Sequence, residues 1–141
     1  MPPNIRATLI ASLDAAKERY DYILIDCPPG LSLFSSAALM ASDYYVSPII
    51  PEPLSLQGVD LIQERANQLR EIHGANVEFA GTILNIVKHY RNTHRRVSEE
   101  IYSIRQRRYQ PFKYWLPDNE RLRTLGEFDP ELSGQWAGGM E

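Results

Sequence analysis

An α/β fold with a doubly wound, mostly parallel sheet and flanking helices is what this sequence predicts, on three observations. The apolar run at 22–26 lacks polar alternation, the pattern of a parallel strand buried on both faces, and further strands read at 44–50 and 77–87. Segments of helical periodicity separate those runs, as crossover connections require. The first run ends on Asp26 and is followed by Cys27-Pro28-Pro29-Gly30, which neither continues a ladder nor starts a helix at once. Ligands collect outside the carboxyl ends of such strands, so Asp26 stands where chemistry is expected.

The chain opens on Ile5, Leu9, Leu13, Ala16 and Tyr20 at helical spacing, an amphipathic helix that delivers the backbone into the 22–26 strand. After the proline turn, Leu33 to Ala41 reads as a helix of small residues, and 44–50 as the next strand. Ser55 is the expected N-cap of a long helix with Leu56, Val59, Ile62, Ala66, Leu69 and Ile72 in one stripe, closed by Gly74. Residues 77–87 form the third strand. A helix over about 97–108 turns Val97, Ile101 and Ile104 inward, and Phe112 to Leu116 form a fourth strand. Beyond Phe128 the Gly-rich, Pro-containing tail reads as poorly ordered, which gives one domain over 1–125 and a tail over 126–141.

At 141 residues and 43% hydrophobic content the chain is long enough to bury a core. Cys27 is the only cysteine, so no intramolecular disulfide is possible, in keeping with a reducing cytoplasm. No apolar run approaches the ~20 residues that span a bilayer. A soluble, cytoplasmic protein with no membrane partner is the expectation.

Charge is unevenly spread. Lys88, Arg91, Arg95, Arg96, Arg105, Arg107, Arg108 and Lys113 face only Glu99 and Glu100 over 88–113, a local +6 inside a chain of net −3. Such a field attracts phosphate backbones, and His89 and His94 add to it at lower pH. A solvated helix face is the alternative reading. Tyr90, Tyr102 and Tyr109 interleave with these charges and fit half-buried packing better than stacking on bases.

The order of motifs carries a resemblance. Asp26-Cys27-Pro28-Pro29-Gly30 is followed by Pro51-Glu52-Pro53-Leu54-Ser55-Leu56-Gln57-Gly58, then Gly81-Thr82-Ile83-Leu84-Asn85, then Trp115-Leu116-Pro117-Asp118-Asn119-Glu120-Arg121-Leu122. Over roughly residues 5–125 this resembles the ParA/MinD family of deviant-Walker partition ATPases, with its Walker B strand, its P-x-E-x-x-S/A-L-x-G segment, its following strand and its I-P-x-N-x-x-L segment. The family's glycine-rich phosphate loop has no counterpart here, since the only glycine pair is Gly138-Gly139 with no strand before it. Its upstream switch acid and last helix are missing as well, so the chain looks like the second half of such an ATPase. The family's phosphate-loop strand lies between the strands that match 22–26 and 44–50. Without it those two close up, take a strand from another chain, or leave a marginally stable fragment with unpaired edges.

The resemblance implies a P-loop NTPase-like fold acting in plasmid or chromosome partitioning or cellular positioning, with ATP and magnesium as cofactors, bound weakly or not at all by this chain alone. Asp26 is then a magnesium ligand through water, against a turn-capping role. Asn85, with Pro117, Asp118 and Asn119, lies near the adenine, against a strand-terminating turn for Asn85. The basic segment implies non-specific DNA binding and a nucleoid-associated location. The partners implied are a ParB-like stimulating protein and either a second copy or a missing N-terminal half. ATP hydrolysis by this chain alone is not expected. The alternative is a non-enzymatic DNA- or partner-binding module derived from that fold. Cys27 reads as a small turn residue and Glu52 as a solvated loop acid, and His73, His89 and His94 show no metal-ligand spacing.

Overall fold

The computed structural model describes residues 3–28, 30–88, 90–103 and 106–119; the side chains of residues 3–6, 106 and 107 are outside that description. The expected 126–141 tail lies beyond it. Along the chain run α1 (Pro3–Lys17), α2 (Leu33–Ala41), β1 (Tyr44–Ile49), α3 (Pro53–His73), β2 (Glu78–Leu84), α4 (Asn92–Ser103) and α5 (Gln106–Tyr109). The strands β1 and β2 pair in parallel from Tyr44↔Glu78 to Ile49↔Leu84, joined by α3.

Local chemistry explains the helix ends. Ser32 caps α2 through a capping box with Ser35, whose hydroxyl also donates to the Gly30 carbonyl. At α3 the expected Ser55 cap is corrected: Pro53 supplies the first-turn φ, so the helix starts three residues earlier with Glu52 at the N-cap. The Glu52 side chain makes no cap bond and is left for another partner. At the other end Gly74 adopts φ 64°, with its N–H donating to Arg70 and that of Ala75 to Leu69, the expected left-handed stop.

Two apolar clusters fill the interior. Ile49, Leu56, Val59, Leu84, Val97 and Ile101 meet Tyr109 between the sheet, α3 and α4. Met40, Ala66, Leu69, Ala75 and Val77 form a second cluster under α2. The predicted α3 stripe is buried at Leu56, Val59, Ala66 and Leu69, but Ile72 is exposed in the last turn. The expected 97–108 helix begins earlier, at Asn92, and is seen as α4 and α5 on either side of residues 104 and 105; Ile104 lies outside the described residues.

Two predicted strands are corrected. The 112–116 segment follows β2 as a broken track, with parallel bridges Thr82↔Pro111 and Val87↔Pro117. Pro111 and Pro117 have no N–H to give, and Gln110 sits at φ 43°, so the ladder forms in pieces: Phe112 N–H to Thr82 O, Leu116 N–H to Leu84 O. Gly81 allows this approach. At φ 141° it faces the Gln110 carbonyl and the Phe112 ring where a Cβ would stand, and it lies beside the register irregularity after Tyr45.

The 22–26 segment is no strand: among the described residues no backbone hydrogen bond joins it to another segment. Tyr22 is 88% exposed and Leu24 95%. It does not close onto β1, whose outer edge has no strand beside it among the described residues. Because Ile49 C=O accepts from Asn85 N–H, the alternate residue Pro48 turns its backbone toward that open edge and removes one donor from it.

Candidate functional site at the carboxyl end of the sheet

Where β1, β2 and the 110–118 track end, their loops are tied to one another by backbone bonds. Asn85 N–H donates to Ile49 O at 2.7 Å, Val87 N–H to Leu116 O at 3.0 Å, and Asp118 N–H to Val87 O at 3.1 Å. Between the first two, Ile86 is held at φ 53°. A β-branched residue there is strained, a state that persists only where surrounding contacts over-determine it. One such contact is local: the Asn85 Oδ1 accepts from Ile86 N–H at 2.9 Å. That leaves the Asn85 amide group with its two N–H donors for a partner outside the loop.

Side chains extend the cluster. Lys88 Nζ lies 3.1 Å from Asp118 Oδ2, and the two side chains are only 20% and 18% exposed. Thus a residue expected to contact DNA and one expected near adenine form a single ion pair. His94, 1% exposed, accepts at Nδ1 from Lys88 N–H at 3.2 Å. Its Nε2 is 3.5 Å from Glu52 Oε1, within ion-pair range but too long for a hydrogen bond, so that buried nitrogen has no hydrogen-bond partner. Sequence reasoning treated Glu52 as a loop acid and gave His94 no role beyond added charge. The spacing of Glu52, Lys88 and His94 along the chain carries no sign that they meet.

The other candidates are placed as follows. Asn119 is exposed next to Asp118, and Pro117 bridges to Val87. Asp26 is exposed, and no hydrogen bond or ion pair joins it to the 85–88 and 116–118 loops among the described residues. Partial desolvation, and then the neighbouring Asp26 charge, hold the Cys27 thiol above its ordinary range, so it is not an activated thiolate. No group of three or more His, Cys, Asp or Glu among the described residues is arranged to hold a metal ion.

The basic segment divides into engaged and open cations. Arg108 is bound to Asp60 at 2.8 and 2.9 Å, with the Tyr109 hydroxyl 3.4 Å from the other oxygen of that carboxylate. Buried Tyr109 is therefore anchored to α3, as its half-buried reading anticipated in part. Arg91 is exposed just before α4 and Arg95 and Arg96 are exposed on it, and Arg96 lines a groove of about 310 Å³ with Asp60 and Glu100. Lys113 is exposed, its Nζ 5.3 Å from the centre of the Tyr114 ring. His89, Arg105 and the Arg107 side chain lie outside the described residues.

A family described as an AAA domain matches residues 3–79. The chain is 32% identical over 111 residues to the sporulation initiation inhibitor protein Soj of Bacillus subtilis, covering 79% of this chain and 43% of that protein. It is 29% identical over 109 residues to the chromosome partitioning protein ParA of Myxococcus xanthus, covering 77% of this chain and 38% of that one. It therefore spans less than half the length of these relatives. In three dimensions it is similar to cobyrinic acid a,c-diamide synthase from Mycobacterium smegmatis, solved with a bound ATP analog and magnesium. The TM-score is 0.69 at 20% identity, over 99% of this chain and 57% of that chain, a likeness of fold. No helix among the described residues is long and apolar enough to cross a membrane.

Proposed function

We propose, from the premise that this chain belongs to the ParA/MinD family of AAA-domain ATPases, that it forms the carboxyl-side portion of a partition ATPase. In this reading it offers one face of the nucleotide site, and the phosphate cradle comes from a further segment. The observation that supports it best is the convergence of the 49–52, 85–88 and 116–118 loops at the carboxyl end of a parallel sheet, where α/β folds bind ligands. There Asn85 keeps two amide donors for a base edge. The Lys88–Asp118 pair stiffens the loop that leads to Asn119.

The residues suit ATP and magnesium unequally. A single exposed carboxylate, Asp26, suits a magnesium ion that keeps most of its water and takes its remaining ligands from phosphate. Bound ATP with its metal would supply the phosphoryl group to be transferred. For the phosphates themselves, the sequence has no glycine-rich loop of P-loop type. Loss of even one donor to a transferring group costs about 10²–10³ in rate. The purified 141-residue chain is therefore expected to turn over no ATP above background. Mixed with a polypeptide that carries such a loop and completes the sheet, it should show magnesium-dependent turnover that Asp26→Ala abolishes. Turnover by the chain alone, lost in Asp26→Ala, would sink this reading.

A second role, binding duplex DNA without regard to sequence, is favoured by the open cations Arg91, just before α4, and Arg95 and Arg96 in its first turns. Such binding works by counterion release, so affinity should fall steeply with salt. Replacing the three arginines by alanine should weaken binding to all duplexes alike and flatten the log–log salt slope by about 0.9 for each phosphate no longer neutralised. Fluorescence anisotropy at low and moderate salt measures both quantities. Unchanged binding by the triple variant would return α4 to the status of a solvated face.

A further inference from the structure

Between the two loops at the carboxyl end of the sheet lies a group with no role in the function proposed above. His94 is buried at the start of α4, its ring between the Lys88 backbone and the Glu52 carboxylate. An imidazole nitrogen that accepts an N–H bond carries no proton, so the neutral ring bears its proton on Nε2, the nitrogen facing Glu52. On protonation Nδ1 gains a hydrogen and meets the Lys88 N–H donor to donor. At the same time the ring's new charge draws it toward Glu52 Oε1, only 3.5 Å from Nε2. The two contacts thus respond to a proton in opposite directions.

We propose that His94 is a proton-operated latch: neutral, it holds the 85–88 loop through the Lys88 N–H; protonated, it releases that loop and binds Glu52. The loop is suited to release because it already contains Ile86 at φ 53°. The surrounding charges set the balance. Glu52 at the start of α3 favours the protonated ring, while Lys88 opposes it and is offset by Asp118. On α3, Asp60 is taken up by Arg108. Arg91 just before α4 and Arg95 and Arg96 on it also oppose protonation, whereas Glu99 and Glu100 on that helix favour it. The latch stands on these contacts alone. Its consequence, a nucleotide edge that loosens as pH falls, rests on the function proposed above.

Nuclear magnetic resonance on the ¹⁵N-labelled chain separates the two. Near pH 8 the His94 ring shifts should report an unprotonated Nδ1 and a protonated Nε2. As pH falls through the histidine range, about 8 to 5, the protection factor of the Lys88 amide against hydrogen exchange should drop roughly tenfold, the scale of one hydrogen bond. In His94→Asn, a short side chain with a non-titrating acceptor, the Lys88 amide should stay protected across that range. In His94→Leu it should be unprotected throughout. A protonated Nδ1 near pH 8 overturns the latch, and so does a Lys88 amide that is indifferent to pH in the wild-type chain; both are read without any variant. The latch together with an absence of ATP binding by the chain mixed with a polypeptide that carries the phosphate loop would overturn the nucleotide reading and leave the latch standing.

Discussion

The 78–84 and 22–26 segments are both apolar runs of strand length beside a turn, yet they come to opposite ends. β2 has a backbone neighbour on each side, β1 along its full length and the 110–118 track in pieces. Leu84 is 1% exposed, while Leu24 is 95% exposed, and no backbone hydrogen bond joins its run to another segment among the described residues. Apolar pattern is thus a statement of what a segment can bury, whereas a strand needs a partner for its N–H and C=O groups. The same contrast runs through the site. The Asn85, Lys88 and Asp118 loops are fixed by paired backbone, whereas the Asp26 carboxylate hangs on the unpaired run.

The strongest way to break the paired side is Gly81→Ala. Alanine at φ 141° is strained, and its Cβ would meet the Gln110 carbonyl, a backbone atom that cannot swing aside, and the Phe112 ring. The 110–118 track would have to leave β2, taking the Lys88–Asp118 pair with it. A loss on the order of 3 kcal/mol is expected, read as a lower urea midpoint. A wild-type midpoint for Gly81→Ala would mean that the close approach of the track to β2 does not hold the fold.

Much of the paired side was legible in the sequence because its signals are local. Gly74 as a helix stop, the strands at 44–50 and 77–87, and Val97 and Ile101 facing inward all follow from residue type and spacing. Capping was less legible: Ser55 is a better cap by type than Glu52, but Pro53 decides where α3 begins. The 22–26 segment misled because partner supply is a property of the whole sheet, not of the five residues. In the site, Asn85 and Asp118 could be named from the motifs. The link from Glu52 through His94 to Lys88 could not, since it joins a loop acid, a helix residue and a backbone N–H through folding alone. Ile86 at positive φ was equally hidden, because nothing in a β-branched side chain asks for that conformation.

The unpaired side yields the smallest effect and the sharpest contrast. Ile101→Ala removes a fully buried side chain from the main cluster and should cost about 2–5 kcal/mol in urea unfolding of the chain. Leu24→Ala removes a side chain of nearly equal size that touches almost nothing, so the same experiment should register less than about 0.5 kcal/mol. The difference must then reverse in context. If a further segment completes the sheet between 22–26 and β1, Leu24 becomes a core residue, and Leu24→Ala should weaken assembly with that segment although it leaves the chain itself unaltered. The open edge of β1, blunted by Pro48, limits how many backbone bonds such a segment gains, so buried apolar surface at Leu24 has to contribute much of its hold. A large loss in the chain alone would show that Leu24 is already buried there. No loss in the assembled form would show that nothing docks on this run.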